Sequence, residues 1–344
     1  MLSLSSFVLP LVSVKEKRGF GKYFSALVIC PKIYFFFPFL ALTKGGKGLK
    51  ILSEKTFYGG KMRIQFWGTA AAEGIPGVFC NCDACKEARE RKGRFIRTRS
   101  QVLINDDLLI DFGPDTFMHS LKYDFDLSTL AHILVTHVHE DHYYPDEIYS
   151  RLEPYAHDMP AETLTFHGSE DLITALTART EHPQGFANQR RVMFDIMRPY
   201  ETSCILSYEI TPLPARHGTA HPFVYLICQG EKAFLLLNDT GRLLPEVYEW
   251  LAKKKVHIDL ISFDCTYGFA NTFERYGKAI NHMGMLDNFA VREALSLGGN
   301  ADENTLCISS HFSHNGTDVG YELMLAHAKD YGFDISYDGM VVEI

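Results

Sequence analysis

No stretch of this chain constrains its fold as tightly as Thr136-His137-Val138-His139-Glu140-Asp141-His142. It sets three imidazoles and two carboxylates in one short loop, directly after the apolar run Ile133-Leu134-Val135. Neutral imidazole and carboxylate together suit borderline divalent ions such as zinc, manganese or iron. The segment therefore reads as ligands for one or two metals, placed where a strand ends. A histidine-rich surface loop is the alternative, disfavoured by the number of ligand-type residues in so few positions.

The pattern His-x-His-x-Asp-His resembles the signature of the metallo-β-lactamase superfamily of hydrolases. Three later segments fit the same series in the same order. His217 follows the turn Pro214-Ala215-Arg216, itself preceded by a strand-like stretch from Cys204 to Pro212. The apolar run Ala233-Phe234-Leu235-Leu236-Leu237 stops at Asn238-Asp239-Thr240-Gly241, similar to the family's Gly-Asp-Thr-Gly turn with Asn in place of the first Gly. Leu306-Cys307-Ile308-Ser309-Ser310 runs into His311. The resemblance implies one metal on His137, His139, His217 and Asp239. It implies a second on Asp141, His142, Asp239 and His311, with Asp239 bridging. Upstream, Leu108-Leu109-Ile110-Asp111-Phe112-Gly113 resembles the family's first motif, in which Asp111 would accept the free N–H of a ligand histidine and fix its tautomer.

Cys80-Asn81-Cys82-Asp83-Ala84-Cys85 is a second concentration of chemistry. Three thiols in six residues cannot all pair as disulfides, yet they can share one metal. His314, three positions beyond His311, is the candidate fourth ligand of a closed structural zinc site. A buried or redox-active thiol cluster is the other reading. The run Met62 to Gly77, the three cysteines, His311-Phe312-Ser313-His314 and Ser336-Tyr337-Asp338-Gly339-Met340 together resemble the phosphoribosyl 1,2-cyclic phosphodiesterase family of the carbon–phosphorus lyase pathway. Asp264-Cys265-Thr266 resembles its Asp-Cys-Ser segment, with Asp264 supporting the ligands, and Asn281-His282 its Asn-His pair. By that resemblance Asp141 and His282 are the candidate catalytic residues, His282 acting near the leaving group or holding the substrate. The stretches from Asp264 to His282, with Phe269, Phe273, Arg275 and Tyr276, and from Ser169 to Tyr200 are longer than that family's and lie where substrate-selecting loops belong.

The first 61 residues stand apart. They hold ten Lys or Arg and two Asp or Glu out of totals of 34 and 42, leaving 24 basic and 40 acidic residues, a net charge of −16, from Met62 onward. Phe24 to Leu42 is apolar but interrupted by Pro31, Lys32 and Pro38, which weakens a signal or membrane reading. Gly59-Gly60-Lys61 can be encoded by GGAGGAAAA, a ribosome-binding sequence read through as protein, so the expectation is a leader over 1–61, upstream sequence or disordered, and one hydrolase domain over 62–344. The remaining cysteines are isolated, a usage that fits a reducing cytoplasm.

Strands are predicted at Arg63–Trp67, Gln101–Ile104, Leu108–Asp111, His132–Thr136, Thr163–Phe166, Ser207–Pro212, Phe223–Cys228, Ala233–Leu237, Ile258–Phe263, Thr305–Ser309 and Met340–Ile344. Helices are predicted at Asp83–Arg91, Asp146–His157, Asp171–Ala178, Pro245–Lys253, Leu286–Leu297 and Asp318–Lys329. The implied fold is an α+β sandwich of the αβ/βα type, two packed mixed sheets with helices on the outer faces and metals at one edge. The implied activity is hydrolysis of a small phosphodiester, including a cyclic ribose phosphate, by water activated between two zinc or manganese ions. A nuclease of the same fold and a lactone or thioester hydrolase are the rivals. The acidic body argues against extended nucleic acid, and Arg89, Arg91, Lys92, Arg94, Arg97 and Arg99 are expected to form a solvated face. No membrane partner is expected, and a homodimer is the candidate assembly.

Overall fold

In a computed structural model of the chain, residues 60–179, 190–270 and 281–344 are described. The leader up to residue 59 and the loop residues Phe273, Arg275 and Tyr276 lie outside them, as does part of the Ser169 to Tyr200 stretch.

The first sheet contains β1 (Arg63–Gly68), β2 (Gln101–Ile104), β3 (Leu108–Ile110), β4 (His132–Leu134), β5 (Leu164–Gly168) and β6 (Val192–Ile196). The second contains β7 (Ser203–Ile205), β8 (Tyr208–Pro214), β9 (Phe223–Gln229), β10 (Lys232–Leu237), β11 (Leu260–Asp264), β12 (Leu306–Ser310) and β13 (Asp334–Ile335). The last strand, β14 (Met340–Glu343), returns to the first sheet and pairs antiparallel with β1. Each seven-stranded sheet is antiparallel in one half and parallel in the other, in the orders β14-β1-β2-β3-β4-β5-β6 and β13-β12-β11-β10-β9-β8-β7. The helices are α1 (Asp83–Arg91), α2 (Thr116–Lys122), α3 (Pro145–Ile148), α4 (Asp171–Arg179), α5 (Pro245–Lys254), α6 (Met285–Leu297) and α7 (Tyr321–Asp330). Among the described residues no helix is long and apolar enough to cross a membrane.

The side-chain period of two explains why β10 reads as an unbroken apolar run. Phe234 and Leu236 face the other sheet, where they join Ile64, Phe66, Val102, Ile104 and Ile110. Leu235 and Leu237 face outward and pack with Val247 and Leu251 of α5 and Val291 and Leu295 of α6. On the first sheet Leu103, Leu109 and Ile133 likewise turn outward, towards Leu172 and Leu176 of α4. This is the expected sandwich, with a core between the sheets and one under each helical layer.

Two expectations need correction. Asp146–His157 is not one helix: α3 spans only Pro145–Ile148, a single 3₁₀ turn follows at Tyr149–Arg151, and the rest is loop. Pro154 lacks the N–H that a helix interior needs and disfavours helical backbone before it. The stretch from Cys204 to Pro212 is not one strand but the antiparallel pair β7 and β8, reversing at Leu206 with φ of 55°. Strand ends also retreat from the site. β3 stops before Asp111 and β4 before Val135, and Asp111, Asp239 and His311 take left-handed backbone with φ of 67°, 56° and 57°. Such backbone is uncommon for residues with a Cβ and recurs at functional sites.

Candidate metal centre

The strand ends deliver their side chains to one edge of the sandwich. After β4 the chain closes a tight turn in which the His139 carbonyl accepts from the amides of His142 (3.0 Å) and Tyr143 (2.8 Å), so His137, His139, Asp141 and His142 face one point. The turn is backed by Gly113, where an added Cβ would stand 2.0 Å from the Asp141 carbonyl oxygen. Gly113→Ala should therefore displace the turn, weakening metal retention about 10- to 100-fold and costing about 1–3 kcal/mol of stability through overpacking. Metal analysis beside a melting curve checks this; unchanged values for both would contradict it.

From the second sheet, Arg216 and Thr240 tie the loop carrying His217 to the turn carrying Asp239, through Arg216 N–H donating to Thr240 Oγ1 at 3.0 Å and Gly241 N–H to the Arg216 carbonyl at 2.9 Å. Asn238, where the family pattern has Gly, is buried and bonded on both sides. Its amide donates to Ser100 (3.1 Å) and its carbonyl accepts from Ser262 (2.8 Å), so the departure braces the turn.

Three groups of side chains result, each with one donor atom per residue converging closely enough to hold a metal ion: His137, His139, His217 and Asp239; Asp141, His142, Asp239 and His311; and Asp239, Asp264, His282 and His311. Asp239 belongs to all three. Its Oδ2 lies 3.1 Å from His137 Nε2 and 3.2 Å from His142 Nε2, while Oδ1 lies 3.1 Å from His217 Nδ1 and 3.0 Å from His282 Nδ1. His139 Nδ1 stands 2.9 Å from both His137 Nε2 and His217 Nε2. Asp141 Oδ2 is 3.2 Å from His142 Nε2.

The outward nitrogens of His142, His217 and His311 are bound by the protein. His142 Nδ1 donates to Asp111 Oδ2 at 2.6 Å, and Asp111 Oδ1 accepts from the Thr136 amide and hydroxyl at 2.8 and 2.9 Å. His217 Nδ1 donates to the Asn281 carbonyl at 3.1 Å. His311 Nδ1 meets Thr266 Oγ1 at 2.9 Å and Asp264 Oδ2 at 3.4 Å, while Asp264 Oδ1 accepts from the amides of Thr266 (2.9 Å) and Met283 (3.0 Å). Asp111 and Asp264 thus hold matching positions on the two sheets. Tying one ring nitrogen fixes the tautomer and directs the other inward. The buried atoms left with no hydrogen-bond partner include His142 Nε2, His311 Nε2 and Asp239 Oδ1, all aimed into the centre.

The electrostatics favour positive charge there. Burial alone would raise Asp239 and Asp141, yet the facing imidazoles hold both carboxyls well below the usual carboxylate range. Burial likewise opposes charge on His142 and His311, but Asp141 and Asp111 push the former up and Asp239 the latter. Burial prevails at His137, held down at about 4, and lowers His217. Buried donors with oriented tautomers and ionised carboxylates form a set that fits divalent metal ions.

Elsewhere, Cys80 Sγ and Cys82 Sγ each lie 3.6 Å from His314 Nδ1, and Cys85 completes the group. Tetrahedral zinc with ordinary Zn–S and Zn–N lengths separates sulfur from nitrogen by about 3.6 Å, so the spacing fits. Gly77 packs on this group. Its amide donates to Cys85 Sγ at 3.3 Å, and a Cβ there would meet His314 Nε2 at 2.9 Å.

The expected solvated basic face is found for Arg89, Arg91, Lys92 and Arg94, which are exposed, but not for Arg97 and Arg99. Arg97 is buried, donating to Thr69 Oγ1 and the Ser336 carbonyl and lying 4.2 Å over the Phe312 ring. Arg91 pairs with Glu87 and Glu322, Arg99 with Asp115, and Arg89 donates to the carbonyls of Gly77 and Cys85. Arg97 ties the segment after α1 to the C-terminal part of the chain through the Ser336 carbonyl, and Arg91 does so from α1 through Glu322. Sequence reasoning placed Thr136, Thr266 and Asn281 within its motifs but gave them no role, because their contacts to the ligand rings form only in the fold.

The sequence matches a family model described as beta-lactamase superfamily domain over residues 107–306. The comparison with curated proteins found no match. Among solved structures, a diphosphatase from the PhnP family is 17% identical with a TM-score of 0.62, covering 83% of this chain and 97% of its own. Zn(2+)-bound PqqB from Methylobacterium extorquens is 15% identical with a TM-score of 0.65, covering 82% and 100%. Human tRNase Z, short form, is 14% identical with a TM-score of 0.54, covering 81% and 98%. With the sandwich, the strand-end His/Asp centre and a family model that spans more than half of its length, the chain belongs to the β-lactamase superfamily and has the metallo-β-lactamase fold.

Proposed function

We propose that the protein is a metal-dependent phosphodiesterase acting on a small diester, a cyclic ribose phosphate among the candidates. In this reading His137, His139, His217 and Asp239 hold one zinc or manganese ion, and Asp141, His142, Asp239 and His311 hold a second. Cys80, Cys82, Cys85 and His314 hold a structural zinc. The observation that carries it is the position of Asp239, whose single carboxylate faces both ligand sets while Asp111 and Asp264 orient histidines on either side. When bound, the ions supply Lewis acidity that activates water near neutral pH and neutralises phosphoryl charge.

The chain's own part is positioning and proton transfer. His282 Nδ1 is held by Asp264 Oδ2 at 3.1 Å, which leaves Nε2 to face a leaving group. Burial would lower this imidazole, but the carboxylates of Asp264 and Asp239 push it up to about 10 without metal; with Asp239 given to the ions, Asp264 is the carboxylate that would hold the ring for proton transfer. The net charge of −16 from Met62 onward supports a small substrate over a nuclease role. Two of the similarly folded proteins bear the names diphosphatase and tRNase Z, which is consistent with phosphorus chemistry. Thiols committed to a zinc need a reducing compartment, so we place the protein in the cytoplasm.

If His282 protonates the leaving oxygen, His282→Ala should slow alkyl diesters by about 10²- to 10⁴-fold while nitrophenyl esters, whose phenolates leave unaided, lose far less. Parallel rate measurements on both ester types check this, and equal losses would assign His282 to binding or scaffold. The substrate class itself is tested with a panel of ribose cyclic phosphate, cyclic nucleotides, a bis-aryl phosphate, short RNA, a lactone and a thioester. Turnover of the small diesters is expected. Exclusive turnover of RNA, or of the lactone or thioester, would replace this reading by one of its rivals.

A further inference from the structure

Behind the metal centre, a row of polar side chains runs from the C-terminal segment to Asp111, and none of them is a proposed ligand. Asp338 accepts from Thr69 Oγ1 at 2.8 Å and from the Thr98 amide at 2.7 Å. Thr98 Oγ1 lies 2.6 Å from both Asp338 Oδ2 and Nε2 of His119 on α2, and with its one proton it donates to one and accepts from the other. His119 Nδ1 meets Gln101 Oε1 at 2.6 Å. The Gln101 amide nitrogen then donates to the Asp111 carbonyl at 2.9 Å and to Thr116 Oγ1 at 2.8 Å, and Thr116 Oγ1 donates onward to the Gly113 carbonyl at 2.7 Å. His119 and Gln101 are 1% and 2% exposed, too buried for water to replace a lost partner.

The geometry points to His119 as a positioning residue for the metal centre: its ring fixes which way the Gln101 amide faces, and that amide pins the left-handed Asp111 peptide whose carboxylate orients His142. The inference rests on the ligand role given to His142 above. The direction of the chain follows from its donors. Thr116 spends its proton on Gly113, so the Gln101 edge facing Thr116 and Asp111 must be the NH₂ edge, and its carbonyl must face a donor, the His119 N–H. A flipped amide would set Gln101 Oε1 against the Asp111 carbonyl, two acceptors with no proton between them. Burial holds the His119 ring down at about 4, hence neutral, so with its Nδ1–H given to Gln101 its Nε2 accepts from Thr98 Oγ1, and burial also raises the Asp338 carboxyl at the far end of the row. A histidine in this row is otherwise a satisfied core residue, and the two roles differ in what the metal feels.

The test uses the full chain loaded with Zn²⁺, following zinc retained per molecule against rising chelator concentration for the wild type, His119→Leu, His119→Asn and Gln101→Glu. His119→Leu should release zinc of the His/Asp centre at about 10- to 100-fold lower chelator concentration. His119→Asn, which keeps a donor near the Nδ1 position, should recover most of that loss. Gln101→Glu, which sets a carboxylate oxygen against the Asp111 carbonyl, should resemble His119→Leu. Wild-type retention in His119→Leu overturns the inference, as does an Asn variant no better than Leu. Should His119→Leu not fold, the other two decide: Asn near wild type with Glu weakened supports the role, and any other pattern overturns it. A wild type that holds no zinc at the His/Asp centre overturns the ligand assignment itself, a failure distinct from a wild-type-like variant.

Discussion

Asp239→Ala is expected to lower turnover by more than about a thousandfold and to leave the His/Asp centre with one ion or none. The size follows from geometry. Asp239 is 4% exposed and its two oxygens stand within 3.0–3.7 Å of nitrogens on His137, His142, His217, His282 and His311. Removing it takes a shared anion from both ligand sets and leaves five imidazoles facing one another in a buried space. Metal analysis of the purified variant, beside its rate on a small diester, checks this. Two ions still fully retained would contradict the shared carboxylate.

The second large effect falls on stability. Cys82→Ser should empty the thiol group of zinc and cost about 3 kcal/mol or more, because loss of a structural metal removes binding free energy that is also folding free energy. For a domain of this size that is a fall in Tm of roughly 5 °C. The tip of the loop before α1 is open to solvent, with Val78 and Phe79 67% and 100% exposed, and His314 and Glu73 join the loop to the 313–315 turn. Turnover at low temperature should stay near that of the wild type, since these thiols belong to none of the groups around Asp239. A variant with unchanged Tm and full zinc would contradict a structural role.

What could be read in advance follows from how local each signal is. The His/Asp cluster lies in one loop, and the other proposed ligands each follow an apolar run, so the sequence alone brings them under suspicion and the fold brings them together. β2 and α1 have the expected bounds for the same reason. α2 escaped notice because its pattern is inverted: Phe117, Met118 and Leu121 are exposed, while Thr116, His119 and Ser120 are buried, the first two in the polar row behind Asp111. Hydrophobic periodicity cannot find a helix that buries its polar side. β6 exposes Met193 and carries Asp195, and β13 has two residues, so neither offers a run to detect. The left-handed turns at Asp111, Asp239 and His311 and the support from Thr136, Thr266 and Asn281 depend on contacts made only after the sheets have met.

The most direct measurement is the rate of hydrolysis of ribose cyclic phosphate by protein whose His/Asp centre has been cleared with chelator, as zinc or manganese is returned in known amounts. Turnover should be absent at the start and should saturate when two ions per chain have entered that centre, with the thiol-bound zinc present throughout. Full turnover in the cleared protein, or saturation after a single ion, would contradict a centre built around two metals sharing Asp239.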